Sequence, residues 1–258
     1  MIPTLDLGMV QIPTYFLVIS LSVSLLLFFL SYRVKYFEYP RKIAFDIAII
    51  LMIGGFIGGR LLHVFYEEFD YYMQDPKKIL FFWNGGFVFF GGFILAWSSA
   101  WVYCRIKKIN FLMWADFFAP ILSLSHALGR IGCILSGCCF GTYCSLPWSM
   151  DGRHPTASYL AAGEFLIFLV LMLFEKNILL LTDKRSKYNL PGIIFFLWVF
   201  MHSLLRFVVE FYRDDFRGVF LRIPGVSGIP ALSISQAICL VLMVFSIWFL
   251  APKLLRKK

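Results

Sequence analysis

The chain consists of long apolar runs separated by short polar stretches. Seven runs reach about 20 residues, the length that a helix rising about 1.5 Å per residue needs to cross a hydrocarbon core of about 30 Å. Runs such as 21–30 are apolar around the whole helix surface, whereas a transmembrane β-strand would be apolar only at every second residue. The pattern predicts membrane-spanning helices over 12–32, 44–66, 79–104, 114–136, 157–175, 191–212 and 232–251.

Composition indicates the same class of protein. Of 258 residues, 60% are hydrophobic, 19% are aromatic and 15% are charged, which is far more apolar than a soluble domain. Asp6 stands where a cleavable signal peptide would have basic residues, so the first run is expected to remain as a helix. The longest polar connections all join adjacent helices. We therefore predict an all-α, polytopic membrane protein in which residues 1–258 form a single seven-helix transmembrane domain.

Lysine and arginine concentrate in the loops on one side of the predicted membrane. Because cytoplasmic loops are enriched in these residues, the N-terminus is predicted to lie outside and the C-terminus in the cytoplasm. This topology and attraction to anionic membrane lipids explain the net charge of +9, so no nucleic-acid partner is expected. The residues on the predicted cytoplasmic side are Arg33, Lys35, Arg41, Lys42, Arg105, Lys107, Lys108, Lys176, Lys184, Arg185, Lys187, Lys253, Arg256, Lys257 and Lys258.

Arg130 and Arg206 lie inside predicted membrane spans. A guanidinium near the middle of a bilayer costs roughly 2.5–3.5 kcal/mol, so such a residue is expected to face a polar cavity and to bind an anion. Gly129 and Gly132 flank Arg130 closely and would permit a near approach of backbone to a ligand. The two arginines therefore predict a site for an anionic ligand within the membrane.

His202, Arg206 and Glu210 follow at four-residue intervals and share one helix face. Arg206 and Glu210 could form a neutral ion pair that only orients the helix, but the second cation, Arg130, favours ligand binding. In the second span, Arg60 could extend to the interface or line a cavity. It follows small residues whose spacing predicts close helix packing, namely Gly54, Gly55, Gly58 and Gly59.

Several motifs, in order along the chain, resemble the phosphatidylglycerol:prolipoprotein diacylglyceryl transferases of bacterial inner membranes. HALGRIGCILSGCCFG at 126–141 is similar to the family's Gly-Arg-hydrophobic-Gly-Asn run, which ends in a glycine. The family has seven spanning helices in the orientation predicted above. Further matches are Tyr15, GGRLLHVFYE at 58–67, WNGGFVFFGG at 83–92, Asp116, RHPTASY at 153–159 and RFVVEFYR at 206–213.

This resemblance implies transfer of a diacylglyceryl group from phosphatidylglycerol to the lipobox cysteine thiol of preprolipoproteins, with release of glycerol 1-phosphate. Arg130 and Arg206 would hold the lipid phosphate, and Glu210 would orient Arg206. Tyr15 would hydrogen-bond the head group, although an interfacial aromatic is the alternative. The other residues expected in substrate binding are Arg60, Gly129, Gly132, Cys133, Gly141 and His202.

The implied partners are phosphatidylglycerol, the lipobox segment of the preprolipoprotein signal peptide and the surrounding membrane lipids. No cofactor and no metal are expected, and the implied location is the bacterial inner (cytoplasmic) membrane. The alternative is a paralogue, non-catalytic or of altered specificity, that binds anionic lipid or lipoprotein signal segments. A transporter is less favoured, because no inverted repeat is visible.

The chain departs from the family at four polar positions. Phe90 replaces the histidine that is often proposed to take the thiol proton, and a phenyl ring cannot accept a proton. Cys133 replaces an asparagine, Cys138 an acidic residue and His202 a tyrosine. Another base is therefore needed, unless the arginines themselves favour the thiolate. The histidines expected near the site are His126, one helical turn before Arg130, and His154 in an outer loop.

Three cysteines follow the fourth predicted helix on its outer side, where the bacterial compartment is oxidising. Cys138 and Cys139 are adjacent and unsuited to bonding each other, so a disulfide from Cys144 to one of them is the favoured expectation. A zinc site made by these cysteines with His154 is the less favoured alternative, because their spacing is not that of two thiolate pairs.

Overall fold

The computed structural model describes residues 4–6, 11–82, 85–181, 191–214, 219–221 and 232–255. Residues His63–Glu67 form a π-helical turn, and Pro76–Leu80 form a 3-10 helix. Strands β1 (Thr4–Asp6) and β2 (Gln11–Pro13) pair antiparallel, as do β3 (Val219–Leu221) and β4 (Leu232–Ser233). The helices are α1 (Thr14–Phe37), α2 (Arg41–Leu62), α3 (Phe69–Gln74), α4 (Phe89–Ile106), α5 (Phe111–Ser136), α6 (Thr156–Leu181), α7 (Ile193–Glu210) and α8 (Ile234–Leu255).

Most of the long helices suit a membrane environment. Many of their large apolar side chains are exposed, as expected for surfaces that face lipid rather than water. The prediction of an all-α, multi-pass membrane protein is therefore confirmed. Within the described ranges, six helices are long and apolar enough to cross a membrane, over Thr14–Phe37, Arg41–Glu67, Phe111–Ser136, Thr156–Lys176, Ile193–Glu210 and Ile234–Lys253.

The predicted helix over 79–104 was placed too early at its start. Helix α4 begins only at Phe89, because Gly85 and Gly86 adopt positive φ angles of 83° and 79° that no α-helix accommodates. The two glycines prevent a continuous helix through this apolar run, although the sequence on either side of them remains hydrophobic. Phe90, at the position where the family resemblance leads us to expect a histidine, lies in the first turn of α4 and is exposed.

The chain divides into two compact units, of which one comprises residues 30–111. Its helices α2 and α4 pack along a seam of small residues. A Cβ atom added at Gly58 would lie 2.3 Å from the carbonyl oxygen of Gly91, and one added at Gly54 would lie 2.9 Å from Cα of Ala96. The predicted close packing at the glycines of the second span is confirmed.

The other unit comprises residues 1–29 and 112–258 and contains α5 to α8. Asp116, near the start of α5, is buried and accepts hydrogen bonds from the backbone N–H groups of Gly192 at 2.6 Å and Phe195 at 2.8 Å. A carboxylate at this position satisfies the unpaired donors of the first turn of α7 and complements its dipole. Phe196 then packs on Phe249 of α8, with ring centroids 3.9 Å apart.

Candidate functional site

Helices α5 and α7 run parallel, side by side. Their beginnings meet at the Asp116 contact, and their middles meet where the rings of His126 and His202 lie 5.0 Å apart. Beyond their C-terminal ends, the N–H of Thr142 donates to the carbonyl of Tyr212 at 2.9 Å. Three contacts in the same order along both helices fix their direction and their relative register.

This register puts Arg130 and Arg206 at one level. Arg130 follows His126 by four residues, and Arg206 follows His202 by four residues, so each arginine lies one turn beyond the contact between the two imidazoles. Arg130 is half-buried and Arg206 is buried.

Glu164 of α6 connects the two histidines and is 0% exposed. Its Oε1 lies 3.3 Å from Nδ1 of His126 and also contacts Nδ1 of His202. The hydroxyl of Ser123 donates to Oε2 at 2.9 Å and to the Glu164 carbonyl at 2.8 Å. Trp198 covers the His202 ring at 5.5 Å between centroids. A buried carboxylate that accepts several hydrogen bonds is well compensated, and it holds α5, α6 and α7 together.

The same network extends to Arg130. The Nε–H of Arg130 donates to Nε2 of His126 at 3.1 Å, while Nδ1 of His126 faces Glu164. This arrangement assigns the His126 proton to Nδ1 and uses the Nε2 lone pair as an acceptor. His126 thereby fixes one edge of the guanidinium and leaves the terminal nitrogen atoms of Arg130 for other contacts.

Arg206 forms the predicted ion pair with Glu210. Nη2 of Arg206 lies 2.8 Å from Oε2 of Glu210, and both residues are buried. The second carboxylate oxygen of Glu210 accepts a hydrogen bond of 3.1 Å from the Ser233 hydroxyl. Gln236 completes this group, because its side chain accepts from the Ser233 N–H at 3.0 Å and donates to the carbonyl of Phe207 at 3.4 Å. Residues at the start of α8 therefore orient the acid that orients Arg206.

Tyr15 lies against the Arg130 turn. A Cβ atom at Gly132 would be 3.2 Å from the Tyr15 ring, so the absence of a side chain there lets the phenol ring approach α5. Tyr15 is 40% exposed and interacts electrostatically with Arg130 and Cys133. Around Gly129, by contrast, a Cβ atom would meet no neighbouring atom within 4 Å among the residues that the structure describes. Gly132 thus allows Tyr15 to pack against α5, whereas Gly129 borders a space that the described residues leave open.

The loop after α5 is joined to the end of α7. Gly141 bridges to Arg213, and its N–H donates to the carbonyl of His154 at 2.8 Å. A Cβ atom at Gly141 would lie 2.1 Å from the Tyr212 carbonyl oxygen, so only glycine fits there. Nδ1 of His154 lies 3.3 Å from the hydroxyl of Tyr159, and its ring packs 4.8 Å from that of Tyr212.

All six cysteines are free thiols in the structure, so the expected disulfide from Cys144 is not formed. Instead, the sulfur atoms of Cys133, Cys138 and Cys139 lie within 4.8 Å of one another. A hydrogen bond from Cys133 contributes most to lowering the pKa of the Cys139 thiol to about 5, assisted by Cys138 and by the positive charge of Arg130. Partial burial raises the pKa of the Cys138 thiol. Within the cluster, the Cys139 thiol is therefore more acidic than an ordinary cysteine and the Cys138 thiol is less acidic.

Arg60 lies in the unit of residues 30–111, where its guanidinium organises a loop. It is 7% exposed, and its five N–H groups face the carbonyl oxygens of Lys78, Ile79, Phe81, Gly85 and Gly86 at 2.5–3.3 Å. The rings of Tyr72 and Phe87 lie 5.2 Å and 5.8 Å from its central carbon. Five carbonyl partners and two ring contacts satisfy this cation within the protein.

Glu164 is the principal site residue that the sequence reasoning missed. An acidic residue inside an apolar run is a functional-site candidate by the same argument that selected Arg130 and Arg206. The motif similarity drew attention to residues on α5 and α7, whereas Glu164 lies in a part of α6 outside those motifs. The signal was therefore present in the sequence, because Glu164 lies well inside the span predicted over 157–175, whereas the second carboxylate of that span, Glu175, is its last residue.

Comparison with known proteins identifies one family. The family model described as prolipoprotein diacylglyceryl transferase matches residues 3–252. A phosphatidylglycerol–prolipoprotein diacylglyceryl transferase from Nitratidesulfovibrio vulgaris is 31% identical over 215 residues, covering 80% of this chain and 76% of the relative. One from Clostridium tetani is 30% identical over 245 residues, covering 91% and 90%. One from Finegoldia magna is 35% identical over 174 residues, covering 66% of each chain.

Proposed function

Because the chain belongs to the prolipoprotein diacylglyceryl transferase family, we propose that it transfers the diacylglyceryl group of phosphatidylglycerol to prolipoproteins. The acceptor is the thiol of a lipobox cysteine, and the reaction takes place in the bacterial inner membrane. A bond forms between the cysteine sulfur and a glycerol carbon of the lipid, while the bond from that carbon to the phosphate oxygen breaks. Glycerol 1-phosphate leaves with the electron pair of the broken bond.

The common level of Arg130 and Arg206 is the observation that supports this proposal most directly. Two guanidinium groups on parallel neighbouring helices suit the phosphate of one lipid, which offers several acceptor oxygens. In a site shielded from water, such donors also stabilise the charge that grows on the departing phosphate oxygen. The residues that we propose to bind and stabilise this phosphate are therefore Arg130 and Arg206.

Each arginine has a partner that keeps it in place. His126 accepts from Arg130 and is itself held by Glu164, while Glu210 pairs with Arg206 and is held by Ser233. Fixed donors stabilise a transition state without having to reorganise as charge develops. We assign His126 and Glu210 as positioning residues, with His202 supporting the Glu164 network between them.

The neighbouring residues suit the bound lipid. Tyr15 can offer its hydroxyl to the head group, and the open space beside Gly129 can admit the glycerol moiety. Gly132 and Gly141 keep α1 and the outer loop close to the arginines, and Cys133 lies directly after this turn. In this proposal Arg60 holds its own loop in shape rather than contacting phosphate, because carbonyl oxygens already occupy its donors.

His154 is the proton acceptor that we propose. The Nε2 atom of His126 already accepts from Arg130, so this ring is not available to a thiol without loss of that contact. His154 is half-buried in the outer loop, and its contact with Tyr159 involves only Nδ1. A histidine imidazole is the side chain that most often transfers protons in enzymes.

We also propose that α4 is a seventh spanning helix in one membrane domain of residues 1–258. Helix α4 has 18 residues, somewhat fewer than a full span usually needs, but it packs closely along α2, which is long and apolar enough to cross the membrane. With seven spans, the excess of lysine and arginine in alternate loops favours an outer N-terminus and a cytoplasmic C-terminus.

The test is replacement of Arg130 in purified protein reconstituted with phosphatidylglycerol. We expect Arg130→Ala to lower transfer to a lipobox peptide by about 100-fold, as for removal of one transition-state donor. Arg130→Lys retains the charge but loses the Nε donor, so it should be impaired to a smaller extent.

Arg105→Ala is the matched control, because Arg105 is exposed in the last turn of α4 and contacts Trp101. This variant should transfer at the wild-type rate. Wild-type transfer by Arg130→Ala in correctly folded protein would contradict the proposed role of Arg130.

A further inference from the structure

Three thiols converge at the outer end of α5. Cys133 is buried in the last turns of the helix, Cys138 is exposed just beyond it, and Cys139 is partly buried. The sulfur atoms of Cys138 and Cys139 are 3.4 Å apart, and all three sulfur atoms lie within 4.8 Å of one another. Cys144, only five residues further along the chain, is not part of this group.

The backbone is shaped to bring these sulfur atoms together. The N–H of Cys138 donates to the carbonyl of Cys133 at 3.1 Å, which closes a turn directly after the helix. Gly137 and Cys139 adopt positive φ angles of 72° and 65°, and such angles are uncommon for a residue other than glycine. The buried hydroxyl of Thr156 donates to the Cys139 carbonyl at 2.6 Å and fixes this conformation. A strained residue held by its surroundings often marks a functional site.

We propose that Cys133, Cys138 and Cys139 bind a zinc ion. Zinc binds thiolates at about 2.3 Å in a tetrahedron, which separates the sulfur atoms by roughly 3.8 Å and so requires only small adjustments here. Soft sulfur ligands select zinc over magnesium or calcium. Three thiolates and one Zn²⁺ have a net charge of −1. The nearby positive charges of Arg130 and Arg213 favour the thiolate of Cys139 and would partly compensate this negative charge.

The fourth coordination position takes the substrate thiol, an assignment that rests on the proposed function. Three protein ligands with one open position are typical of a catalytic rather than a structural zinc ion. Binding to zinc removes the proton from the lipobox thiol, and His154 accepts that proton. The zinc-bound sulfur then attacks the glycerol carbon, forming the thioether and leaving zinc, while the carbon–oxygen bond breaks and glycerol 1-phosphate departs.

This site accounts together for three of the departures that the family resemblance indicates. Phe90 cannot accept the thiol proton, and Cys133 and Cys138 occupy positions where the resemblance leads us to expect an asparagine and an acidic residue. A metal ion that deprotonates a bound thiol supplies the same activation without the missing imidazole. Cys133 also follows Arg130 by three residues on the same helix, so the thiol would arrive beside the lipid phosphate.

The first experiment measures zinc directly. Reduced protein in detergent is loaded with zinc, desalted and analysed for metal, and cobalt is substituted to detect absorption from sulfur-to-metal charge transfer. We expect about one zinc per wild-type chain. Cys138→Ser and Cys139→Ser should lose the zinc and the cobalt–thiolate absorption, and Cys144→Ser should retain both. Size-exclusion elution and thermal unfolding establish that the variants are folded.

Failure of the wild-type protein to bind zinc, or equal zinc content in folded Cys138→Ser protein, would overturn the site. A disulfide between Cys138 and Cys139 that persists under reducing conditions would overturn it as well.

The second experiment tests the open position and separates this proposal from the proposed function. A lipobox peptide should shift the cobalt spectrum, and the same peptide with serine in place of cysteine should not. Zinc removal should abolish diacylglyceryl transfer, and zinc should restore it. If zinc binds and the peptide shifts the spectrum but no transfer occurs, the proposed function fails while the metal site stands. If transfer is undiminished after zinc removal, the function stands and the metal proposal is overturned.

Discussion

The coupling between Glu164 and His202 is the most direct test of the buried network. Glu164 is 0% exposed and meets His202, His126 and Ser123 from two neighbouring helices. Hydrogen bonds between helices in membrane proteins average about 0.6 kcal/mol and reach about 1.7 kcal/mol. A hydrogen bond to a fully buried carboxylate belongs at the upper end of that range. We therefore expect a coupling free energy of about 1.5 kcal/mol between Glu164 and His202.

A double-mutant cycle measures this coupling. Glu164→Gln, His202→Gln and the double variant are unfolded reversibly in mixed micelles, and their free energies of unfolding are compared with that of the wild type. Glu164→Gln should also lower the rate of transfer by roughly tenfold, because a loss of about 1.4 kcal/mol in holding His126 weakens the position of Arg130.

Glu175→Gln provides the matched control, since Glu175 is also buried on α6, about three turns further along. Combined with His202→Gln it should be additive within about 0.5 kcal/mol. If the Glu164–His202 cycle were equally additive, the carboxylate would not bind the imidazole and the reasoning about the network would be refuted.

Two further predictions concern the unit of residues 30–111. Gly58→Ala places a Cβ atom against the Gly91 carbonyl and should lower the free energy of unfolding by about 1–3 kcal/mol. Gly55→Ala should be neutral or slightly stabilising, because a Cβ atom at Gly55 has no neighbour within 4 Å in the described part of the chain. Equal stability of the two variants would contradict the proposed seam. Arg60→Lys replaces the five N–H donors of a planar guanidinium by the three of an ammonium group, so the loop should be held less firmly. We expect faster tryptic cleavage after Lys78 in the folded variant. Cleavage at the wild-type rate would mean that the guanidinium does not hold the loop.

The sequence was sufficient to predict six of the spanning helices and the family, because long apolar runs and ordered motifs are local signals. It was not sufficient for the start of α4, where Gly85 and Gly86 interrupt a run whose hydrophobicity still favours a helix. Their carbonyl groups bind Arg60, a residue 25 positions away in the case of Gly85, and no local pattern reveals such a contact.

The level of Arg130 and Arg206 also depends on tertiary structure. Spacing within each helix predicted which side chains share a face, but the register between α5 and α7 follows from distant contacts such as the Asp116 cap. The cysteines illustrate the same limit. Their position after a helix in an oxidising compartment suggested a disulfide with Cys144, whereas the turn at Gly137 directs Cys138 and Cys139 toward Cys133.

The backbone hydrogen bonds between the loop that follows α5 and the end of α7 couple the movements of these two segments. Because Gly141 and Thr142 are tied to Arg213 and Tyr212, a tilt of α7 during entry of a lipid would pull the thiol-bearing turn in the same direction. Arg206 on α7, which we propose to bind the lipid phosphate, and the cysteine cluster, which we propose to bind the acceptor thiol, would then move together. Their alignment would survive the motion that loads the substrate.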